Sequence, residues 1–273
     1  MKMSDLGLTI VELPARIRAP KNFRRDDPFA IRLKNYLDLG RSDLEALRSL
    51  IESEMTVKKR RDLVHDGDEF TKFWFVKEGF AARYKLLRNG KRQIVTFVLP
   101  GDIIGLPISF FSRATYSVVA LTDMKMDVCS RDAFLALCYR RPKFGLALSW
   151  FAVHEAANHA EHIINIGRRT PVERVAHFLL EIHSRLALVG RATEFGFNLP
   201  ITQEMMADAL GLSVPHLNRM ISRLRADGMI AINDRNVEFV DLKAMQQLAQ
   251  FQHIRPIRIP IPDARDQTPA NQL

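Results

Sequence analysis

The stretch ALGLSVPHLNRMISRLRADGMI (209–230) contains two helical segments separated by a Gly-Leu-Ser break. Gly211 supplies a residue that tolerates positive φ at the turn, and Ser213 is a favourable N-cap for the second segment. Pro215 is tolerated there because it falls within the first helical turn. The inward apolar stripe of the second segment consists of Leu217, Ile221 and Leu224. This pattern predicts a helix-turn-helix.

The other face of the second segment carries arginine and amide side chains. In a helix-turn-helix the first helix crosses the phosphate backbone, and the second presents its N-terminal residues to the major groove. Arginine reads guanine there and asparagine reads adenine, each through two hydrogen bonds. The alternative is a solvated face, which would more naturally mix glutamate with lysine. We expect DNA contacts from Thr202, Gln203, Ser213, Val214, Pro215, His216, Asn218, Arg219, Ser222 and Arg223.

The flanking segments extend this unit to a domain at residues 169–250. Thr170 is a predicted N-cap, with Pro171 at the first helical position and Glu173 as its capping-box partner. The strand-like FGFNLP (195–200) precedes the helix-turn-helix, and MIAINDRNVEFV (229–240) reads as two short strands around a turn. A helix, a helix-turn-helix and a β wing together form a winged DNA-binding domain.

Short strand-like runs dominate the chain from about residue 56 to 129. They are rich in aromatic and β-branched residues: FWFVKEG (73–79), FAARYKLL (80–87), RQIVTFVL (92–99) and TYSVVAL (115–121). Asn89-Gly90 is a two-residue hairpin signal. The spacing predicts an antiparallel β-roll, a small jelly roll of the cupin kind, over residues 29–141. A flexible arm is expected at residues 1–28 and a disordered tail at 251–273, which makes the chain an α+β protein.

Residues 142–168 are predicted to form one long dimerisation helix. An apolar seam recurs there in alternating steps of four and three, as in a coiled coil: Leu146, Trp150, Val153, Ala157, Ala160 and Ile164. A second stripe of Phe144, Leu148 and Phe151 would pack on the strands. Two stripes indicate two neighbours, the roll and a symmetry mate, although a helix buried within a single domain is the alternative.

The same helix contains HEAANHAEH (154–162), which raises a second functional hypothesis. Glu155, His159 and His162 share one face and could bind a metal, as part of a metal-dependent sensor or enzyme. Solvent-facing residues on a long helix explain them equally well. The sequence contains no Ser/His/Asp set, P-loop or dinucleotide fingerprint, so we expect neither an enzyme nor a metal site.

Composition limits the remaining classes. No apolar run reaches the roughly 18 residues of a membrane span, and no signal-peptide core precedes the roll, so a cytoplasmic protein without a membrane partner is expected. The net charge is +9, which favours polyanionic partners. Residues 170–250 nevertheless carry eight basic and nine acidic residues, so DNA affinity there must depend on local placement. Cys129 and Cys138 are interpreted as buried, inert thiols.

The order of β-roll, seam helix and winged domain resembles the Crp/Fnr family of bacterial transcription regulators over about residues 56–245. The roll segments LVHDGDEFTKFWFVKEGFAARY and VLPGDIIGL are similar to the family, as is TQEMMADALGLSVPHLNRMISRLRADGMI. The resemblance implies a homodimer on double-stranded DNA whose recognition helices enter successive major grooves, roughly 34 Å apart. It also implies recruitment or blocking of RNA polymerase.

The departures from the family's pattern concern the ligand. Family members that bind cyclic nucleotides carry a glutamate directly after the glycine of the IIG segment (103–105 here), where this chain has Leu106. They carry an arginine further along, where this chain has Ala114. Arg113 is adjacent to the second position, which keeps a nucleotide open, and the resemblance places His159 near the helix positions that close over it. We expect an effector pocket at these four residues, no cyclic-nucleotide dependence and no cofactor.

Two further departures concern the metal cluster and the half-site. Oxygen-sensing members carry a cysteine cluster ahead of the roll, whereas no cysteine precedes Cys129 here, so no iron–sulfur cluster is expected. The family's glutamate that accepts from cytosine falls at Pro215, which puts the family's usual half-site in doubt for this chain.

Overall fold

The computed structural model describes residues 27–106, 111 and 113–253. From residue 27 onward, two helices precede the first described strand, α1 (Pro28–Lys34) and α2 (Arg41–Arg48), and the sequence pattern predicts neither. The Asp27 side chain caps α1 by accepting from the Phe29 backbone N–H at 2.9 Å. Helix α1 therefore begins at Pro28, inside the predicted arm, and residues 1–26 of that arm lie outside the described residues.

Eight strands form two four-stranded antiparallel sheets that face each other. The strands are β1 (Ile51–Val57), β2 (Asp62–Val64), β3 (Lys72–Glu78), β4 (Ala81–Leu86), β5 (Arg92–Val98), β6 (Ile103–Ile104), β7 (Ser117–Ala120) and β8 (Met124–Ser130). The sheet orders are β1-β8-β3-β6 and β2-β7-β4-β5. Apolar side chains of both sheets, among them Val76 and Val118, are buried together. The predicted antiparallel roll is confirmed.

The β4–β5 hairpin differs in one respect from its sequence signal. Leu87 donates its backbone N–H to the Lys91 carbonyl at 2.8 Å, so three residues rather than two form the loop. Gly90 has φ +78°, the left-handed conformation that follows a type I turn in three-residue hairpins. The Asn-Gly pair therefore predicts the hairpin correctly and its loop length incorrectly.

Helices α3 (Arg131–Arg140) and α4 (Pro142–Gly167) cover one side of the roll. Phe144 and Phe151 of α4 are buried, as the second apolar stripe predicts. Helix α1 contributes Phe29, which stacks on Phe75 of β3 with ring centroids 4.3 Å apart and on Phe151 at 5.6 Å. Helix α1 thus completes the apolar layer between the roll and α4.

The remaining elements form the winged domain. They are α5 (Pro171–Ala187), β9 (Gly196–Asn198), α6 (Gln203–Leu210), α7 (Val214–Ala226), β10 (Ile230–Asn233), β11 (Asn236–Phe239) and α8 (Leu242–Ala249). The Thr170–Glu173 capping box is present, and the wing is an antiparallel sheet of order β10-β11-β9. Helix α8, which the sequence pattern does not predict, buries Met245. Phe251 packs on His177 of α5, so the start of the predicted tail is ordered, and residues 254–273 lie outside the described residues.

The roll and the winged domain pack directly against each other. Phe97 of β5 meets Phe178 of α5 with ring centroids 5.5 Å apart, and both belong to one apolar cluster. Arg92 of β5 donates to Asp208 of α6 at 2.9 and 2.6 Å. Among the described residues, no helix is long and apolar enough to cross a bilayer.

Candidate nucleic-acid interface and effector region

The turn between α6 and α7 has the geometry that its residues predict. Gly211 is left-handed at φ +63°. The Ser213 hydroxyl accepts from the His216 N–H at 3.4 Å, and the Thr202 hydroxyl accepts from the Met205 N–H at 3.3 Å. Arg174 of α5 donates to the Leu210 carbonyl at 3.2 Å. Both helices are therefore capped, and α6 is fixed to α5 at its C-terminal end.

Helix α7 has a buried face and an open polar face. Leu217 and Leu224 are fully buried against the domain core. Arg219 is exposed and makes no hydrogen bond or ion pair with any residue in the described part of the chain. Thr202, Gln203, Ser213, Pro215, Ser222 and Arg223 are exposed, and Val214, His216 and Asn218 are half-buried. The ten predicted DNA contacts are thus exposed or half-buried, with Val214 packed against the domain core and Arg223 paired with Asp227 at 3.7 Å.

Helix α4 presents an apolar face to solvent, but its register differs from the predicted seam. Leu146, Val153 and Ile164 are 44%, 67% and 45% exposed, and Ala160 is exposed as well. Trp150 turns inward instead, where it stacks on Tyr36 and packs on His154, and Ala157 is half-buried. The exposed face includes Ala152, Ala156 and Ile163, which the predicted seam omits. Heptad spacing fits both registers, and the sequence pattern does not show that Trp150 packs on Tyr36 and His154.

A small cavity lies where the roll, α4 and α5 meet, and we call it the junction cavity. Its volume is about 30 Å³, room for roughly two water molecules. It is lined by Arg32, Arg83, Thr96, Phe97, Val98, Asp102, Ile103, Leu106, Phe151, His154, Glu155, Asn158, His159 and Arg185. Of the four residues predicted for an effector pocket, Leu106 and His159 lie here.

Buried ion pairs surround the junction cavity. Asp102 pairs with Arg32 of α1 and, at 2.7 Å, with Arg185 of α5, and it also accepts from the Leu99 N–H at 2.8 Å. The preceding Gly101 has φ +89°, and a Cβ there would lie 2.8 Å from a methyl group of Val189. The Pro-Gly-Asp turn at residues 100–102 therefore places the Asp102 carboxylate between the roll and the winged domain. Only glycine fits at the preceding position, 101.

The second ion pair of the cavity joins Arg83 of β4 to Glu155 of α4. Arg83 also donates to the Ile103 carbonyl at 2.9 Å. Burial, together with the nearby Arg32 and Arg185, lowers the pKa of His154 to about 3. Burial likewise lowers the pKa of His159 and of His162. Burial therefore disfavours protonation of all three histidines, and nearby arginines add to this effect at His154 and His159.

Comparisons with known proteins agree with this architecture. A model of the cyclic nucleotide-binding domain matches residues 54–141, and a model of the Crp-like helix-turn-helix domain matches residues 173–248. The nitrogen fixation regulation protein FixK of Bradyrhizobium diazoefficiens is 32% identical, over 67% of this chain and 76% of its own length. The transcriptional activator protein FnrL of Cereibacter sphaeroides is 31% identical, over 72% and 80%. The chain belongs to the Crp/Fnr family.

Solved structures of the Crp/Fnr type share the fold. FixK2 from Bradyrhizobium japonicum superposes with a TM-score of 0.67 at 25% identity, covering 74% of this chain and 98% of that one. A CooA variant from Carboxydothermus hydrogenoformans has a TM-score of 0.60 at 17% identity, covering 83% and 98%. The matched helix-turn-helix model and the curated relatives make the chain a transcription regulator with a helix-turn-helix DNA-binding domain rather than an enzyme.

The comparisons support a transcription regulator and give no support to the alternative of a metal-dependent sensor or enzyme at residues 154–162. The relatives are transcription regulators, and one of the three proposed ligands has another partner. Glu155 is engaged by Arg83, and the His154 ring meets the Asn158 side chain at 3.2 Å. Within the described ranges, no group of three or more His, Cys, Asp or Glu side chains is arranged to hold a metal ion.

The residues at the family's nucleotide contacts do not fit a cyclic nucleotide. Leu106 is apolar and 4% exposed, and Ala114 is 3% exposed within the apolar core of the roll. Arg113 lies at the surface, where it donates to the Gly67 carbonyl at 2.9 Å, and it does not line the junction cavity. The roll therefore offers a cyclic nucleotide neither a ribose acceptor nor a phosphate-pairing arginine at these positions.

The sequence pattern did not predict that Arg32, Arg83 and Arg185 line a buried cavity. One signal was present, because FAARYKLL places an arginine inside an otherwise apolar strand. A charge at such a position is rarely buried without a partner. Its partner Glu155 lies 72 positions further along the chain, beyond the reach of any local pattern.

Proposed function

We propose that two copies of the chain bind a two-fold symmetric DNA site, with helix α7 of each copy in the major groove. The observation that carries this proposal is the open face of α7. Arg219 is exposed and without a partner in the described residues, on a helix anchored by the buried Leu217 and Leu224. A rigidly held helix with an uncommitted arginine suits bidentate recognition of guanine.

The proposed dimer contact is the exposed apolar face of α4. Val153 and Ile163 are 67% and 66% exposed, and the face also contains Ala152, Ala156 and Ala160. Small residues between larger apolar ones let a second helix approach closely. A two-fold axis along this face would place the same surface of each copy against the other.

We further propose that DNA binding requires neither a cyclic nucleotide nor an iron–sulfur cluster. Leu106 and Ala114 support the first statement. Cysteine chemistry supports the second, because Cys129 is fully buried and burial raises the pKa of its thiol to about 12. The proposed site of action is the cytoplasm, where contact with RNA polymerase on the bound DNA would alter transcription.

A gel-shift titration of the full chain on its selected duplex tests this proposal. Without added nucleotide we expect a saturable complex of two chains per duplex, which exceeds the affinity for scrambled DNA. A complex of one chain per duplex would contradict the dimer. A complex that forms only after addition of cyclic AMP or cyclic GMP would contradict nucleotide independence.

A further inference from the structure

We propose that strand β5 of the roll positions the helix-turn-helix for DNA recognition, through the side chains of Arg92 and Gln93. Both side chains reach the last turn of α6, the helix that precedes α7. The two residues act on DNA only through α6, so they are positioning residues. This inference deepens the proposed dimeric recognition of DNA and rests on it.

The contact between β5 and α6 converges on one residue of α6, Asp208. The Nε and Nη2 atoms of Arg92 donate to the same carboxylate oxygen of Asp208, at 2.9 and 2.6 Å. The Gln93 side-chain amide donates to the Asp208 backbone carbonyl at 3.0 Å. Glu204, one turn earlier on α6, lies 3.9 Å from Arg92. Because β5 holds both the side chain and the main chain of Asp208, it restricts the rotation of α6 as well as its distance.

This contact lies beside the turn that leads into α7. Asp208 is among the last four residues of α6, whose carbonyl groups lack partners further along the helix. Gln93 supplies a donor to one of these carbonyls from the roll, and Arg174 of α5 supplies a donor to another, that of Leu210, at 3.2 Å. The left-handed Gly211 follows directly, and α7 begins at Val214. A shift of α6 at this end would therefore change the direction of α7.

An open groove beside the contact increases the importance of these hydrogen bonds. The groove has a volume of about 820 Å³ and lies between the β4–β5 hairpin and α6, where its lining includes Lys91, Glu204 and Leu212. Side chains do not fill this space, so apolar packing does not fix the separation of the hairpin from α6 there. The side chains of Arg92 and Asp208 are 27% and 29% exposed. Their replacement should therefore leave the folded core intact.

In a dimer, the position of α6 sets the distance between the two copies of α7. The proposed dimer contact lies on α4, and Phe144 and Phe151 of α4 are buried in the same apolar cluster as Phe73 and Phe75 of the roll. The roll is thus fixed relative to the dimer contact. A helix-turn-helix held to β5 presents α7 at one spacing, so discrimination between half-site spacings should depend on Arg92.

Gel-shift titrations of the full chain on two duplexes test this inference. One duplex carries the selected inverted repeat, and the other carries the same half-sites with one base pair inserted between them. The ratio of the two affinities measures how firmly α7 is positioned. Arg92→Met should lower this ratio about three- to tenfold, within the range of coupling between residues in contact, while circular dichroism verifies folding. A purely structural role, or a lost phosphate contact, would weaken binding to both duplexes alike and leave the ratio unchanged.

Variants of the partner and of a second ion pair complete the test. Asp208→Ala should lower the ratio as Arg92→Met does, and the double variant should lower it no further, because both substitutions remove the same contact. Lys85→Met is the matched control, since it removes an ion pair with Asp66 inside the roll, and it should leave the ratio unchanged.

Three results would overturn the inference alone: an unchanged ratio in Arg92→Met, additive losses in the double variant, or an equal loss in Lys85→Met. A wild-type chain that binds both duplexes equally would instead contradict the proposed dimeric recognition, and this inference with it. The wild-type comparison therefore separates failure of the proposed function from failure of the positioning role.

Discussion

Arg219 is the side chain whose removal should most directly weaken sequence recognition. It is exposed on α7, and no described residue competes for its guanidinium. Arg219→Ala should cost about 1–3 kcal/mol on the preferred duplex, roughly five- to 150-fold in affinity. Selection with the variant should show a relaxed base preference at one position per half-site. Competition binding on preferred and scrambled duplexes measures both effects.

Arg225→Ala is the matched control for this substitution. Arg225 is exposed in the last turn of the same helix, away from the N-terminal residues that enter the groove. Its removal should weaken binding to preferred and scrambled DNA alike. An equal loss on both duplexes for Arg219→Ala would instead assign that arginine to a phosphate.

His154 should make stability depend on pH. Its pKa is lowered from 6.5 to about 3 in the folded chain, by burial first and by Arg32 and Arg185 next. The unfolded chain therefore binds an extra proton between these values. The free energy of unfolding should decline as pH falls from 6.5 towards 3, with His154 contributing about 1.4 kcal/mol per pH unit.

Denaturant titrations of His154→Phe across this pH range measure that contribution. In the variant, the slope of the unfolding free energy against pH should be smaller by about 1.4 kcal/mol per pH unit. This difference does not depend on how stable the variant is at pH 7. An unchanged slope in His154→Phe would show that this histidine is protonated in the folded chain.

At the scale of elements, α4 shows which structural features a local sequence pattern predicts and which it does not. Its length and its second apolar stripe follow from the sequence, as do the strands β3, β4, β5 and β7 and the N-caps of α5, α6 and α7, whereas α8 and its Asp241 cap do not. The register of its exposed face does not, because Trp150 turns inward and stacks on Tyr36, a residue far away in the chain. Tyr36 follows the short α1, which is stabilised by packing of Phe29 on Phe75 rather than by its own periodicity.

For the candidate site too, the sequence predicts contacts between residues close in the chain but not contacts between distant ones. The helix-turn-helix could be predicted because its turn, caps and apolar stripe lie within about 30 consecutive residues. The junction cavity could not, since Arg32, Asp102 and Arg185 are far apart in the chain and converge only after three elements pack. Arg113 and Ala114 were expected in a pocket, and the structure places one at the surface and the other in the roll core.

Val153→Glu tests the exposed face of α4. Val153 is 67% exposed, so the folded monomer should accept the charge with little loss of stability. In a symmetric dimer two such charges would meet, and sedimentation should show monomers with greatly weakened operator binding. Val240→Glu, at a position 63% exposed in the winged domain, is the control and should remain dimeric. A Val153→Glu protein that stays dimeric would place the interface elsewhere.

At the scale of the whole molecule, the roll and the winged domain form a continuous structure. Asp102 and Phe97 of the roll contact Arg185 and Phe178 of α5, and Arg92 holds Asp208 of α6. These contacts lie at the junction cavity and beside the β4–β5 hairpin. Helix α4 also contacts α5.

Cyclic nucleotides should not raise the melting temperature of the folded chain. With Leu106 and Ala114 at the family's contact positions, millimolar cyclic AMP or cyclic GMP should shift the melting temperature by no more than about a degree, whereas a tight ligand would add several kcal/mol by mass action. Differential scanning fluorimetry of the full chain checks this. A clear rise in melting temperature that the Arg113→Ala variant no longer shows would contradict this prediction and would indicate a nucleotide site beside Arg113.

Selection of preferred duplexes from a random pool, by the full chain without added nucleotide, tests the central claim most directly. If two copies present α7 to successive major grooves, the enriched sequence should be an inverted repeat. Its half-site centres should lie about one helical turn apart, roughly 34–36 Å. Enrichment of a single unrepeated half-site, or no enrichment at all until a cyclic nucleotide is supplied, would contradict the account.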